Sequence, residues 1–218
     1  MKYLGAPQSG SQANTTASRN RNGQYYRNRS IPVNPSSIYQ QAVRSRMQQN
    51  ADAWKLLTST QREGWAALGY QMSRTDGLGQ TYDLTGFQAY CSVNLNQLNV
   101  GNSVLSDAPL FSIPAPILTL TVTLTSAAFS IAWTPTPMGA GERIMIFASG
   151  MVSAGRAFNA DYKFIAASAA AGASPLVILS AYQARIGTPV TGARIFVSAQ
   201  RYSGGFVSTP IQVSQVVA

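Results

Sequence analysis

The chain has 218 residues, a formal net charge of +9, one cysteine and no histidine. The missing histidine removes the commonest general base and metal ligand, and a single cysteine excludes an internal disulfide framework. The seven acidic residues form no close pair, and no apolar run is long enough for a membrane helix or a secretory signal. We therefore expect a non-enzymatic protein with no cofactor, no metal and no membrane partner.

The first segment, residues 1–34, is predicted to be an extended basic arm. Residues 1–51 carry seven lysine and arginine side chains and no aspartate or glutamate. Glycine and proline interrupt the arm, and we find neither helical nor strand periodicity in it. A segment with few apolar residues and unbalanced charge is disordered in isolation, so we expect a partner to order it.

Arginines and tyrosines of the arm and of the following helix are the candidate partner-binding residues. They are Arg19, Arg21, Tyr25, Tyr26, Arg27, Arg29, Arg44 and Arg46. Such side chains form charge-assisted hydrogen bonds in an acidic groove between protein subunits, or contact phosphates and stack on nucleic-acid bases. We favour a protein partner because the arm has no groove-reading helix of the common DNA-binding modules. Nucleic acid remains the alternative.

Residues 35–101 are predicted to be helical. An apolar stripe at steps of three and four residues indicates the first helix and consists of Tyr39, Val43, Met47, Ala51, Trp54 and Leu57. Thr58 and Gln61 have the spacing of a capping box, which predicts a second helix from Ser59 to about Ser73. The turn-forming residues 75–79 end that helix.

A third helix is predicted from a second capping box, formed by Thr85 and Gln88. Its apolar stripe consists of Phe87, Cys91, Leu95 and Leu98, and it ends near Gly101. We assign Trp54, Trp65 and Phe87 to the core of this helical region, with the two tryptophans facing each other, and Cys91 to the core as a small buried residue.

Residues 102–116 are predicted to be a linker, and residues 117–218 an antiparallel β-sandwich. From Ile117 onward, apolar residues alternate with threonine and serine, which is the period of a strand with one buried face. The predicted strands lie at 118–125, 129–134, 143–148, 162–167, 193–200 and 211–217. Trp133 is the candidate core tryptophan of the sandwich. The fold class is therefore α+β, with an N-terminal arm, a three-helix region and a C-terminal sandwich.

Within residues 20–100, a set of spaced residues resembles a virion-associated protein family encoded by tailed phages and prophages. The set consists of Pro32, Val33, Asn34, Pro35, Gln40, Arg44, Trp54, Leu57, Thr58, Gln61, Arg62, Trp65, Leu84, Thr85, Gly86, Phe87 and Asn94. The C-terminal half is similar to fibronectin type III and immunoglobulin-like sandwiches, with Trp133 in an early strand and residues 192–197 in a late one. The resemblance implies a structural protein of a virion, made in the host cytoplasm.

The expected function is therefore a capsid-associated or decoration protein, anchored by its arm to other virion proteins and self-associating in the assembly. A neck or tail accessory protein is the next alternative, followed by a nucleic-acid-binding accessory protein. A surface adhesion module is a further alternative, which requires exposed aromatic residues at one end of the sandwich. The candidates for that role are Phe158, Tyr162, Tyr182 and Tyr202.

Overall fold

The computed structural model describes residues 9–20, 23–31 and 33–218, and it divides the chain into two compact units, Met1–Ala42 and Val43–Ala218. The sequence analysis instead divides the chain into four segments. The helical region from Val43 onward and the β-sandwich belong to one unit. Helices and antiparallel sheets are both present, so the predicted α+β class is confirmed.

The N-terminal unit contains a three-stranded antiparallel sheet, formed by β1 (Gly10–Gln12), β2 (Thr15–Asn20) and β3 (Gly23–Asn28). The prediction of an arm without strands is wrong in this respect. Neither face of the sheet is buried, so the sequence lacks the apolar–polar alternation by which strands are recognised. No described residue between 9 and 42 is buried, which means that backbone hydrogen bonds, and not a core, define this sheet.

Three helices and a small hairpin follow. They are α1 (Ile38–Lys55), α2 (Ser59–Gln71), β4 (Ser73–Thr75), β5 (Thr81–Asp83) and α3 (Gly86–Asn99). Both predicted capping boxes are confirmed, because the Thr58 and Thr85 hydroxyls each accept from the backbone N–H three residues later. The β4–β5 hairpin was not predicted. Its turn is closed by the Asp76 carboxylate, which accepts from the backbone N–H groups of Leu78 and Gln80.

Two glycines let α2 approach the start of α3 closely. A Cβ atom at Gly69 would lie 2.3 Å from the Leu84 carbonyl oxygen, and one at Gly86 would lie 3.0 Å from the Ala66 backbone nitrogen. Any larger residue at Gly69 would therefore force the backbones apart. Gly86, the glycine of the segment 84–87, is likewise required for the close packing of α3 on α2.

Tyr90 of α3 is the centre of the helical core. Its ring lies 5.2 Å from the Trp54 ring and 5.0 Å from the Trp65 ring, so each tryptophan packs on this tyrosine. The expectation that Trp54 and Trp65 face each other is wrong, because Tyr90 is the ring that both contact. Phe87 packs edge-on against Trp54 at 5.5 Å. The assignment of Trp54, Trp65 and Phe87 to one apolar cluster agrees with these contacts.

Two sheets form the C-terminal sandwich. Its elements are β6 (Thr119–Leu124), β7 (Phe129–Thr134), β8 (Arg143–Ala148), β9 (Val152–Ser153), β10 (Lys163–Ala167), β11 (Leu176–Val177), α4 (Leu179–Arg185), β12 (Ala193–Ser203), β13 (Phe206–Val207) and β14 (Ile211–Val216). One sheet has the order β11-β7-β6. The other has the order β10-β8-β12-β13, with β9 and β14 also paired to β12. All pairs are antiparallel, as predicted.

The main core lies between these sheets and is made of alternate residues of four strands. It includes Leu120, Val122, Ile131, Trp133, Ile144, Ile146, Ile195 and Val197. Trp133 is 2% exposed, in agreement with its assignment to the core. In β6 and β7, burial of every second side chain is the physical basis of the alternation from which these strands were predicted, whereas in β8 and β12 consecutive side chains are buried.

The sandwich and the helices share apolar and polar contacts. Phe206 belongs to the same apolar cluster as Trp65 and Tyr90. The Tyr202 hydroxyl donates to Gln97 Oε1 at 2.6 Å, and Asn96 Nδ2 donates to the Gly205 carbonyl oxygen at 2.9 Å.

The first part of the segment predicted as a linker is packed against the helices. Trp65 Nε1 donates to the carbonyl oxygen of Ser106 at 2.8 Å. Asn94 accepts from the Leu105 backbone N–H and donates to the Leu105 carbonyl. Side chains of α2 and α3 thus hold residues 105 and 106 in place.

Candidate functional site

Strand register determines which candidate arm residues lie together. Arg19 pairs with Gln24, Ala17 with Tyr26, Ser18 with Tyr25 and Thr16 with Arg27. Directly paired residues share a face of an antiparallel sheet, and successive residues alternate between faces.

The predicted basic and aromatic cluster is therefore divided between the two faces of the N-terminal sheet. Arg27 and Tyr25 lie on one face, beside the hydroxyls of Thr16 and Ser11, which share a hydrogen bond of 2.8 Å. Arg19 and Tyr26 lie on the opposite face. Each face thus presents an exposed guanidinium group and a tyrosine, and a partner contacting one face meets only half of the predicted cluster.

The remaining candidate arginines are more widely spread. Arg21 lies outside the described residues. Arg29 follows β3, and its backbone N–H donates to the Asn14 carbonyl oxygen at 2.7 Å while its side chain is exposed. Arg44 is exposed on α1, whereas Arg46 is half-buried and donates to Asn99 Oδ1 of α3 at 2.6 Å. Arg46 thus has a structural role in holding α1 against α3.

Apolar side chains are exposed throughout the segment from residue 31 to residue 47. Val33 is 89% exposed and Ile38 is 81% exposed, and Ile31, Tyr39, Val43 and Met47 are also exposed. In α1, the C-terminal part of the predicted apolar stripe packs in the helical core, through Trp54 and the following Leu57. Exposed apolar residues beside arginines, with no carboxylate nearby in sequence, are typical of a surface that another molecule covers.

Several residues of the phage-like pattern have structural roles. Thr58 and Thr85 cap helices, and Trp54 and Trp65 pack in the core. Arg62 lies 5.8 Å from the centre of the Trp54 ring and donates to the carbonyl oxygens of Trp54 and Lys55, which closes the turn between α1 and α2. These residues therefore explain the fold of the helical region and identify no binding surface.

The four aromatic candidates of the sandwich separate into two groups. Tyr182 and Tyr202 are fully buried, and their hydroxyls donate to the Ser149 carbonyl and to Gln97 Oε1, so these two candidates are not available to an exposed adhesion surface. Phe158 is 68% exposed and Tyr162 is half-buried. Only Tyr202 lies in a strand, whereas Tyr182 belongs to α4 and Phe158 and Tyr162 precede β10, so strand alternation gives no information on three of the four.

The second unit contains a cleft that the sequence analysis missed. It has a volume of about 500 Å³, and we call it the β4–β13 cleft after the strands that border it. Its lining includes the polar residues Arg74, Ser92 and Asn96 and the apolar residues Phe111, Ile113 and Phe206. These residues are far apart in the sequence, so no local motif indicates the cleft.

The shifted pKa values of Cys91 and Glu142 have structural causes. Burial raises the pKa of the Cys91 thiol, which disfavours the reactive thiolate. A hydrogen bond from Arg201, followed by one from the Gly139 backbone, lowers the pKa of Glu142, and this pair connects β12 with the turn before β8.

Within residues 9–20, 23–31 and 33–218 there is no cluster of three or more potential metal ligands. In the same residues, no helix combines the length and hydropathy needed to cross a membrane.

Comparisons with known proteins give little further information. No protein-family model matches the chain, and no curated protein matches it. A solved structure from a computer-based redesign of a β-sandwich protein is similar to it, at 12% sequence identity and a TM-score of 0.33. The match covers 48% of this chain and 91% of that chain. At this TM-score the similarity carries no argument about function.

Proposed function

We propose that the protein is a non-enzymatic structural component of a tailed-phage virion, associated with the capsid through its N-terminal unit. The observation that carries the proposal is that no described residue between 9 and 42 is buried, although this segment contains strands, apolar side chains and arginines. A sheet without a core of its own gains stability when a partner covers it. The residues within 20–100 that resemble a tailed-phage protein family support a virion protein as that partner.

The chemistry of the N-terminal unit favours an acidic protein surface. Arg19, Arg27 and Arg29 are exposed, and residues 1–51 carry no carboxylate that could neutralise them. Guanidinium groups bind carboxylates through paired hydrogen bonds, and the exposed Ile31 and Val33 add apolar contact area. The partner is therefore a major capsid subunit, or a neck or tail subunit in the alternative position, with acidic and apolar groups side by side.

The test compares incorporation of two charge variants into particles. Arg19, Arg27 and Arg29 are replaced together by Gln, and a matched control replaces three exposed cations of the second unit, Lys55, Arg156 and Lys163, by Gln. We expect the first variant to lose at least about tenfold of its co-sedimentation with purified particles, since each lost charged hydrogen bond contributes about 1.5–3 kcal/mol. The control should be incorporated like the unmodified chain.

Deletion of residues 1–30 should likewise abolish incorporation while the remainder still folds. Incorporation of either the deletion or the triple arginine variant at the level of the unmodified chain would contradict the proposal. Repeating the assay with DNA-free shells distinguishes a protein partner from the alternative, a nucleic-acid partner. Binding that requires packaged DNA, and falls steeply with salt, would assign the arginines to phosphates instead.

A further inference from the structure

We propose that the β4–β13 cleft binds an extended acidic peptide segment of another protein. In this complex an apolar side chain of the peptide packs against Phe111 and Phe206, and a neighbouring carboxylate pairs with Arg74. The inference does not rest on the proposed function, because the cleft lies within Val43–Ala218 and none of its lining residues belongs to the N-terminal unit.

An aromatic pair provides the apolar part of the cleft. The rings of Phe111 and Phe206 meet edge-on, with their centres 5.4 Å apart. Phe206 is buried at the base, whereas Phe111 is 38% exposed and Ile113 is 61% exposed. Phe111 and Ile113 offer apolar area that the chain itself does not cover, and an aromatic or branched side chain entering the cleft would remove it from water.

The charge of the cleft selects an acidic ligand. Arg74 is exposed, and its Nη2 atom lies 3.5 Å from Ser92 Oγ, a long contact. Neither the Lys55–Asp52 nor the Arg201–Glu142 ion pair involves Arg74, which has no carboxylate partner among the residues that the structure describes. No acidic residue lines the cleft. A guanidinium group beside an apolar surface, without a counter-charge, favours a ligand with a carboxylate next to an apolar group.

The backbone at both borders favours an extended peptide. β4 belongs to a two-stranded sheet in which β5 is its neighbour, and β13 is the end strand of its sheet, next to β12. Ser73 and Arg74 of β4, and Phe206 and Val207 of β13, line the cleft. A strand with one unpaired edge can form main-chain hydrogen bonds with an added peptide strand. Alternate side chains of the added strand then occupy pockets of the protein.

One wall of the cleft, the β12–β13 turn, is fixed against α3 before any ligand arrives. Asn96 Nδ2 holds the Gly205 carbonyl oxygen at 2.9 Å. A Cβ atom at Gly205 would lie 2.4 Å from Val93 Cγ1, so the β12–β13 turn rests directly on α3. A preformed site of this kind loses little conformational entropy on binding.

The experiment measures binding of two fluorescein-labelled peptides to the full chain by fluorescence anisotropy. The acidic probe is Gly-Glu-Phe-Glu-Val-Gly, and the basic probe has lysine in place of both glutamates. We expect saturable binding of the acidic probe with an affinity about tenfold higher than that of the basic probe. Arg74→Gln should remove this difference, and Phe111→Ala should weaken the binding of both peptides.

Arg156→Gln, which removes an exposed arginine outside the cleft, is the matched control and should change neither affinity. Unchanged urea midpoints of all variants show that they are folded. Equal affinity for both probes, no effect of Arg74→Gln, or no saturation up to about 1 mM would overturn the proposal. Self-association that disappears in Arg74→Gln, without peptide binding, would overturn it in favour of a second copy of this chain.

Discussion

The two units of the chain obtain their structure in different ways. In Val43–Ala218, three apolar clusters, two helix caps and continuous strand ladders support the same arrangement. In the N-terminal unit, the sheet of β1, β2 and β3 has regular pairing but no buried residue among those described. Secondary structure therefore does not by itself indicate independent stability.

The comparison separates residues that maintain the fold from residues that are available to a partner. Arginines of the second unit with structural contacts, such as Arg62 and Arg201, bind carbonyl oxygens or Glu142 of the same chain. Arg19 and Arg27 of the first unit stand on opposite faces of a thin sheet, exposed to solvent. A charged side chain that is fixed within a fold has its partners in the same chain, whereas an exposed one in a coreless sheet is available to another molecule.

Hydrogen exchange gives the largest expected contrast between the two units. In the purified chain, amides of β2 and β3 should exchange with little protection, because opening a sheet without a core costs little free energy. Amides of β8 and β12 should be protected by a factor on the order of 10³ or more, close to the limit set by global unfolding. Nuclear magnetic resonance or mass spectrometry measures both sets in one experiment. Equal protection would mean that the N-terminal sheet is stable alone and needs no partner.

Replacing Trp65 tests the core of the second unit. Its indole is fully buried, packs on Tyr90 and donates to the Ser106 carbonyl oxygen. Trp65→Ala should lower the free energy of unfolding by about 3–5 kcal/mol. Tyr70→Ala on the same helix, where the side chain is exposed, should change it by no more than about 0.5 kcal/mol. Urea denaturation measures both, and similar values for the two variants would contradict the assigned core.

Tyr182 of α4 is buried in the sandwich core. Ionisation of its hydroxyl at alkaline pH should have a smaller effect on the free energy of unfolding. Burial raises the pKa of Tyr182 to about 12 from the ordinary tyrosine value of 10.0, so between these values the unfolded chain loses this proton while the folded chain keeps it. Stability is therefore fully present below about pH 10 and is lost progressively as the pH rises toward 12, by about 2–3 kcal/mol in total.

The Tyr182→Phe variant should lose this part of the pH dependence. It should also be less stable by about 1 kcal/mol at neutral pH, because the hydrogen bond to the Ser149 carbonyl is removed. Urea denaturation between pH 8 and 12 measures both effects, with Tyr70→Phe as the control for the substitution itself. Parallel pH profiles of Tyr182→Phe and the unmodified chain would show that this proton is not linked to folding.

Features whose cause lies within a few residues could be predicted from the sequence. The helix starts at Thr58 and Thr85 follow from side chains three residues apart, and β6 follows from alternation within six residues. By contrast, α4 has no side-chain cap at Ile178 and only seven residues, too few for a clear helical period. The β1–β3 sheet gives no alternation because both of its faces are exposed.

Features that depend on distant residues could not be predicted in this way. Tyr90 enters between the expected tryptophan pair from a different helix. The β4–β13 cleft combines Arg74 with Phe111 and Phe206, which only the packing of helices on the sandwich brings together. Arg19 and Arg27 are exposed, as expected for arginine side chains. The hydrogen bond from Arg46 to Asn99 could not be predicted, because it depends on how α1 packs against α3.

Gly205 packs against Val93, and the Tyr202 hydroxyl donates to Gln97. These contacts between the sandwich and α3 limit the positions at which the gene can recombine without loss of stability. A crossover that transferred only the sandwich to another gene would expose Phe206 and leave the Tyr202 hydroxyl without its acceptor. Crossovers that carry α3 and the sandwich together avoid both costs. Because Trp54 and Trp65 also pack on Tyr90 of α3, we expect horizontal exchange to preserve the whole of Val43–Ala218 as one cassette.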